Sequence, residues 1–397
     1  MFASLQHRNY RYFWVGTLVS NIGDWMDNVA FRLMWRIDRQ RRLLGLLALF
    51  RAAPILIFTL FGGALADRME RRRLLQVTQV AGMALALLLS VLVLTGAVEV
   101  WHVFAIAAGR GIVMSINMPT RQAMLSDIVD REHLTNAIAL NSATMNLTRI
   151  LGGSIGGILI TLIGTGGVFM VNGLSFTILI ITLSLMVIPP LAANSRRRSL
   201  LRSIGDGLSY IKASDVLGAL ILLALAPMIL GMPYMTLLPI FADEVLGIGN
   251  EGYGVLVSFT GIGAMIGALT IAGTSNIHNR GRIMLLVMVA FGIMLFAFSR
   301  STDPTLSYAL LLGVGAGQTT YMALNNTLLQ TLSSDEMRGR VMSVFFLNRG
   351  MVPLGTVGAG FASEFIGVQW TVSVMAIMLI MMGLAAFTFL PRLRMLE

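Results

Sequence analysis

The stretch Gly63-Ala-Leu-Ala-Asp67-Arg68-Met-Glu70-Arg71-Arg72-Arg73 sets six charges in seven positions between two apolar runs. The run before it covers about 43 to 66 and the run after it about 74 to 97. Each exceeds the ~20 apolar residues that a helix needs to cross a bilayer. The charges between them are polar punctuation, and the same alternation continues in both directions along the chain.

Apolar runs at about 10 to 37, 101 to 125, 135 to 162 and 165 to 188 complete a first set of six. A second six follows at about 215 to 245, 252 to 275, 283 to 300, 305 to 330, 338 to 362 and 368 to 390. The 397 residues are 56% hydrophobic and 12% charged, with a mean hydropathy of +0.79, whereas a soluble chain carries about 25% charged residues. Twelve spans of roughly 23 residues and eleven connections of roughly 10 use up the whole length. The sequence therefore predicts an all-α integral membrane protein with no sizeable soluble domain. Its expected organisation is two six-helix bundles, residues 1–188 and 215–397, joined by a cytoplasmic linker at 189–214 that holds Pro189, Pro190, Arg196 to Arg198, Arg202 and Lys212.

A formal net charge of +10 would suggest nucleic acid in a soluble protein, but here topology accounts for most of it. With the N-terminus cytoplasmic, the inner segments carry nineteen Lys and Arg residues and the outer ones five, namely Arg36, Arg39, Arg41, Arg42 and Arg300. The positive-inside rule then puts both termini in the cytoplasm of a multi-pass protein of the inner (plasma) membrane. The first run holds Asp24 and Asp27 and no small-residue cleavage site, so it reads as a span rather than a cleaved signal. With no cysteine and no aligned His, Asp and Glu cluster, no metal or other cofactor is expected.

The halves look like copies. Asp130-Arg131-Glu132 precedes Asn136-Ala137, and about 204 residues later Ser334-Asp335-Glu336 precedes Arg340-Val341, each between the fourth and fifth span of its half. The glycine-rich fifth span (Gly152, Gly153, Gly156, Gly157) has a counterpart with Gly350, Gly355, Gly358 and Gly360. Two parallel six-span repeats are a transporter plan, with the substrate site between the halves near mid-membrane.

The stretch Gly63 to Arg73 resembles motif A of the major facilitator superfamily, with Glu70 where the motif has glycine. Arg110 on the fourth span resembles the intramembrane arginine of motif B. Asn146 to Gly157 is similar to motif C of exporters, with Gly153 in place of a proline. Asp335 to Ser343, containing Arg338-Gly339-Arg340-Val341, and Asn9-Tyr-Arg11-Tyr-Phe13-Trp14 resemble the subgroup of enterobactin exporters and multidrug or macrolide efflux proteins. The resemblance covers nearly the whole chain. It implies a cytoplasmic gate at Gly63, Asp67, Arg68, Arg71 and Arg72, and export of amphipathic drug-like compounds or siderophores by alternating access in exchange for protons. On the helices that line the cavity in this family lie Asn117, Met118, Tyr234, Met235, Gln318, Tyr321 and Asn325. One stretch departs from the subgroup: Phe31 to Arg42 carries five arginines towards the outside.

Inside the spans stand Asp24, Asp27, Arg32, Arg51, Arg110, Arg149 and Arg349, and an ion there is costly unless paired or wetted. Asn21, Asp24, Asn28, Arg32 and Arg36 follow steps of three and four, which puts them on one helical face. That face is expected to line the central cavity, together with Asn146 and Arg349. Asp24 or Asp27 is the candidate proton carrier, with Arg110 and Arg149 as partners, because His7, His102, His133 and His278 all lie away from mid-span. A purely structural pairing of these acids with Arg32 or with another helix is the competing reading. Arg51, near Pro54, is expected to snorkel to the outer interface. The expected partners are a small-molecule substrate, protons and the bilayer, with no nucleic acid and a monomeric chain. A transporter-fold sensor or assembly protein, a lipid flippase and an importer remain as alternatives.

Overall fold

The computed structural model describes residues 3–33, 41–66, 69–187, 205, 208–273, 279–334, 337, 340–342, 344–345 and 351–396. Among these residues the chain is helical apart from short connections, with no strand. Helix α1 is Arg8–Leu33, α2 Arg41–Ala66, α3 Arg71–Leu94 and α4 Val100–Ile128. The stretch Arg131–Ser184 is broken by Gly164 into α5 (131–163) and α6 (165–184). Helix α7, Asp215–Val245, contains π-helical turns at Pro227–Gly231 and Phe241–Val245. Then come α8 (Gly249–Gly273), α9 (Arg280–Arg300), α10 (Pro304–Leu332), α11 (Val352–Ile366) and α12 (Val368–Phe389). Each of these twelve helices overlaps one of the twelve apolar runs, and further helical residues lie at 208–212, within the expected linker, and at Pro391–Arg394.

Length and apolarity alone qualify seven stretches as spans, with α5 and α6 counted together as Thr144–Ser184. The remaining four helices fall short for two different reasons. In α2 and α11 the apolar stretch among the described residues is 15 residues long, Gly45–Thr59 and Val352–Ile366, although the sequence around α2 is apolar from about 43 to 66. In α1 and α10 polar groups intrude: Asn21, Asp24, Asp27 and Asn28 on one, Gln318, Thr319, Thr320, Asn325 and Asn326 on the other. A helix screened from lipid by its neighbours need not be apolar all round. The outside is correspondingly oily: Leu162, Val187, Phe365 and Phe389 are 71–83% exposed, while Asn21 and Asp27 are buried.

The chain forms two compact units. The first comprises Met1–Gln40, Leu46–Arg196 and Gly249–Ser258. Its core brings together Tyr10 and Phe13 of α1, Leu75 of α3, Met124 of α4 and Leu179 and Leu183 of α6. Helices α2 and α4 approach so closely that a Cβ on Gly111 would overlap the carbonyl oxygen of Arg51, the kind of contact that small residues permit between membrane helices.

The second unit comprises Arg41–Gly45, Arg197–Ile248 and Phe259–Glu397. Leu285, Leu295, Phe298 and Leu379 are fully buried in it, and Ser299 of α9 meets Ser373 of α12 at 2.7 Å. Here Gly315 of α10 packs against the carbonyl of Thr260 of α8. Gly315 lies 204 residues after Gly111, the offset at which the sequence repeats. The turns repeat too: Gly164 between α5 and α6 has φ 69° and ψ 175°, and Gly367 between α11 and α12 has φ 78° and ψ 161°. Side chains other than that of glycine are strained in this region of backbone space.

Gly164→Ala and Gly367→Ala are each expected to destabilise the protein by about 1–3 kcal/mol, although a Cβ at either position meets nothing within 4 Å. Gly358→Ala, equally open but helical, should be neutral or stabilising by up to ~1 kcal/mol. Thermal unfolding of the detergent-purified variants separates the cases, and an equal Tm for all three would deny the strain.

Candidate functional site

Helix α1 presents Asn21, Asp24 and Asn28 along one face and carries Asp27 beside it, and α2, α4 and α5 answer these groups. Arg110 of α4 makes a bidentate ion pair with Asp27: Nη2 donates to Oδ1 at 2.7 Å and Nη1 donates to Oδ2. The two side chains are 13% and 3% exposed, and the guanidinium also lies over the Phe31 ring, 5.3 Å from its centroid. The bidentate fork is the strongest form of a charge-assisted hydrogen bond. At this depth, each ion makes the other's burial tolerable.

Two more arginines reach the same face. Arg121 of α4 donates from Nη1 to Asn21 Oδ1 at 2.9 Å, and Arg51 of α2 donates from Nη1 to Asn28 Oδ1 at 2.5 Å. Asn28 itself donates to the main-chain oxygen of Asp24 at 2.7 Å. Asp24 differs from Asp27: among the described residues its carboxylate has no ion-pair partner, though Asp27, Arg121, Arg110 and Arg51 all act on it through space. Three guanidiniums thus face two carboxylates inside one bundle.

The structure places Asn21, Asp24, Asp27 and Asn28 together on α1, with Arg110 paired to Asp27 and separate bonds from Arg121 to Asn21 and from Arg51 to Asn28. Arg149 of α5 donates to Asn146 at 3.2 Å and lies over the Trp25 ring, 6.0 Å from its centroid. Asn117 ties α4 to α3 through Thr78 at 2.9 Å, whereas Met118 is largely exposed. In the second unit, the Tyr321 hydroxyl donates to the Leu223 carbonyl at 2.8 Å and Asn325 Nδ2 donates to that of Leu220 at 3.1 Å, so both fasten α10 to α7. Tyr234 is buried edge-on to Phe298, and Met235 and Gln318 are also buried.

At the charged turn, Gly63 lies within α2, while Asp67 and Arg68 lie outside the described residues, as does Arg349. Arg71 ties α3 to the end of α4 through Asp127 (2.6 Å) and the Ala123 carbonyl (3.0 Å). Arg72 ties α3 to the end of α6 through the Met186 carbonyl at 2.8 Å. Glu70 has φ −59°, so the turn needs no glycine there. From the N-cap of α3, Glu70 pairs with Arg72 (3.2 Å) and Arg73 (2.8 Å), and a negative charge at that helix end is favourable.

Arg121 and Arg51 are the two site residues that sequence reasoning misplaces. Arg121 counts there among the cytoplasmic charges and Arg51 as a snorkelling residue, but both guanidiniums turn into the bundle. For Arg121 a signal existed. It follows Arg110 by eleven residues, about three helical turns, and so shares its face.

Over residues 1–397 the sequence matches the family described as transmembrane secretion effectors. The chain belongs to the major facilitator superfamily. It is similar to the staphyloferrin A transporter of Staphylococcus aureus, with 25% identity over 373 residues, 92% of each chain. The multidrug efflux pump Tap of Mycolicibacterium fortuitum is 27% identical over 89% of this chain and 88% of its own. The enterobactin exporter of Shigella flexneri is 27% identical over 79% and 76%. A solved structure of a bacterial homologue of the human lysosomal transporter Spinster, inward-facing and unoccupied, superposes with a TM-score of 0.76 at 14% identity, covering 97% of this chain and 98% of that one. That likeness shows the fold. This facilitator-superfamily protein is a membrane transporter and not an enzyme.

Removing one member of the Asp27–Arg110 pair leaves the other charge buried and uncompensated. Asp27→Leu or Arg110→Met alone is therefore expected to destabilise the protein by about 3–5 kcal/mol, and the two together by much less than the sum of the single changes. A double-mutant cycle on unfolding in detergent measures this, and a coupling energy near zero would show that the two residues do not depend on each other.

Proposed function

We propose that the protein exports amphipathic small molecules of the siderophore or drug class across the inner (plasma) membrane in exchange for protons, with Asp24 as the proton-carrying group. The observation that carries this reading is the difference between the two acids of α1: Asp27 is held by Arg110, whereas Asp24 has no ion-pair partner among the described residues. Asp27 is a fixed counter-ion, and Asp24 is the carboxylate free to change charge. Ionised Asp24 accepts hydrogen bonds from hydroxyl or amine groups of a substrate, bonds strengthened by its charge. Protonation removes that acceptor, so proton and substrate exclude each other at the site, as exchange requires. Arg121, bonded to the neutral amide of Asn21, supplies a cation for an acidic group on the same substrate.

Residues 1–188 and 215–397 act as the two rocking bundles, with 189–214 as their cytoplasmic connection and both termini in the cytoplasm. Repeats of this kind alternate access by rigid-body motion around a fixed site. The names of the siderophore and multidrug relatives support the substrate class and the outward direction. A single chain contains both bundles, so the working unit is the monomer.

Proteoliposomes with an imposed pH gradient test the proposal, using a catecholate and a cationic dye as probes. Wild-type protein should move at least one probe against its gradient. Asp24→Asn should lose this pH-driven component and keep downhill flux. Undiminished pH-driven transport by Asp24→Asn overturns the role of Asp24, and movement of phospholipid instead of either probe turns the reading to a flippase.

A further inference from the structure

A second polar cluster stands apart from the polar face of α1 and uses none of its residues. His7 lies in the segment just before α1, Asp130 occupies the N-cap of α5, and His133 is in the first turn of α5. His7 Nε2 is 3.0 Å from His133 Nδ1 and 3.8 Å from Asp130 Oδ2, and one donor atom from each of the three residues lies within 4.8 Å of the others. The linear sequence hides this trio, because 123 residues separate His7 from Asp130.

The frame around the trio is built. Ser4 donates from its hydroxyl and its main-chain N to Asn136 Oδ1, at 2.8 and 3.1 Å. The Tyr10 hydroxyl donates to the Ala137 carbonyl at 3.1 Å. Ser4 and Tyr10 are both buried, so the segment bearing His7 is pinned to α5 on either side of the histidine. Asp130 sits where a carboxylate commonly caps a helix, yet it makes no capping bond and is 80% exposed. Its oxygens are left to a ligand, and the solvent side leaves room for water.

We propose that His7, Asp130 and His133 form a binding site for a divalent transition-metal ion of the zinc class. Two imidazoles and one carboxylate with an open position suit Zn2+, Co2+ or Fe2+, whereas Mg2+ and Ca2+ take oxygen ligands. With metal–ligand bonds of about 2.0–2.2 Å, neighbouring donor atoms in a tetrahedral site are about 3.3 Å apart. The two separations from His7 Nε2, 3.0 and 3.8 Å, bracket that value, all three donors lie within 4.8 Å of one another, and rotation of the exposed Asp130 side chain brings its oxygen closer to both rings. Ligation requires each ring to present an unprotonated nitrogen to the ion, so the hydrogen between the two rings leaves that position when the ion enters. The ion clips the segment before α1 to the start of α5 and so stabilises the N-terminal bundle. The site is independent of the transport reading.

Co2+ titration of the purified full-length chain, carrying a tag without histidine, tests this. One equivalent should bind with visible d–d absorption and a raised Tm, Zn2+ should displace it, and Mg2+ should not. His7→Asn and His133→Gln should each weaken binding by about tenfold or more, while His102→Gln leaves it unchanged. Asp130→Asn alters an exposed side chain and keeps the test open if a histidine variant fails to fold; it should weaken binding likewise. Absence of stoichiometric Co2+ binding by the wild type, or unchanged affinity in these variants, overturns the site.

Discussion

A charge inside a bilayer needs a counter-charge or water, and in this protein the Asp27–Arg110 pair meets that demand for the N-terminal bundle. The pair joins α1 to α4 across 83 residues of sequence, and it fixes the rotation of α1 about its own axis. Once Asp27 is turned to Arg110, the neighbouring face carries Asn21 to Arg121 and Asn28 to Arg51. Asp24 then sits among cations without being bound by any described one. The separation of roles between two acids one turn apart follows from this single contact.

The twin units share a backbone plan but not a charge plan. Gly111 and Gly315 make equivalent close approaches, and Gly164 and Gly367 make equivalent turns. At the same offset of 204 residues, however, Val314 stands opposite Arg110 and Gly231 opposite Asp27. Close packing constrains both halves alike, because every membrane helix must find neighbours. Among the described residues, the paired buried charges lie in the first half, at Asp27 and Arg110.

The number and placement of helices were legible because hydrocarbon thickness sets a minimum length that composition displays openly. The direction of side chains was less so. Steps of three and four correctly put Asn21, Asp24 and Asn28 on one face of α1, but no pattern within α1 says which arginine meets that face. Arg51 reads as interfacial from its position near the end of a span, and only the approach of α1 draws it inward. Polar residues such as Tyr321 and Asn325 have the same appearance in sequence whether they line a cavity or bond a neighbouring backbone. Here both bond α7. Glu70 was legible as a departure from motif A, but only its ordinary φ shows that the turn accommodates it.

The polarity of α1 also bears on how the protein is made. This helix is synthesised before α4 and carries Asn21, Asp24, Asp27 and Asn28 among its apolar residues. The arginine that answers Asp27 is synthesised 83 residues later. Until α4 arrives, α1 has to wait in a wet or proteinaceous place beside the insertion machinery, and its final lateral position is taken as part of a group. The ion pair that holds α1 in the N-terminal bundle is complete only once α4 is in place.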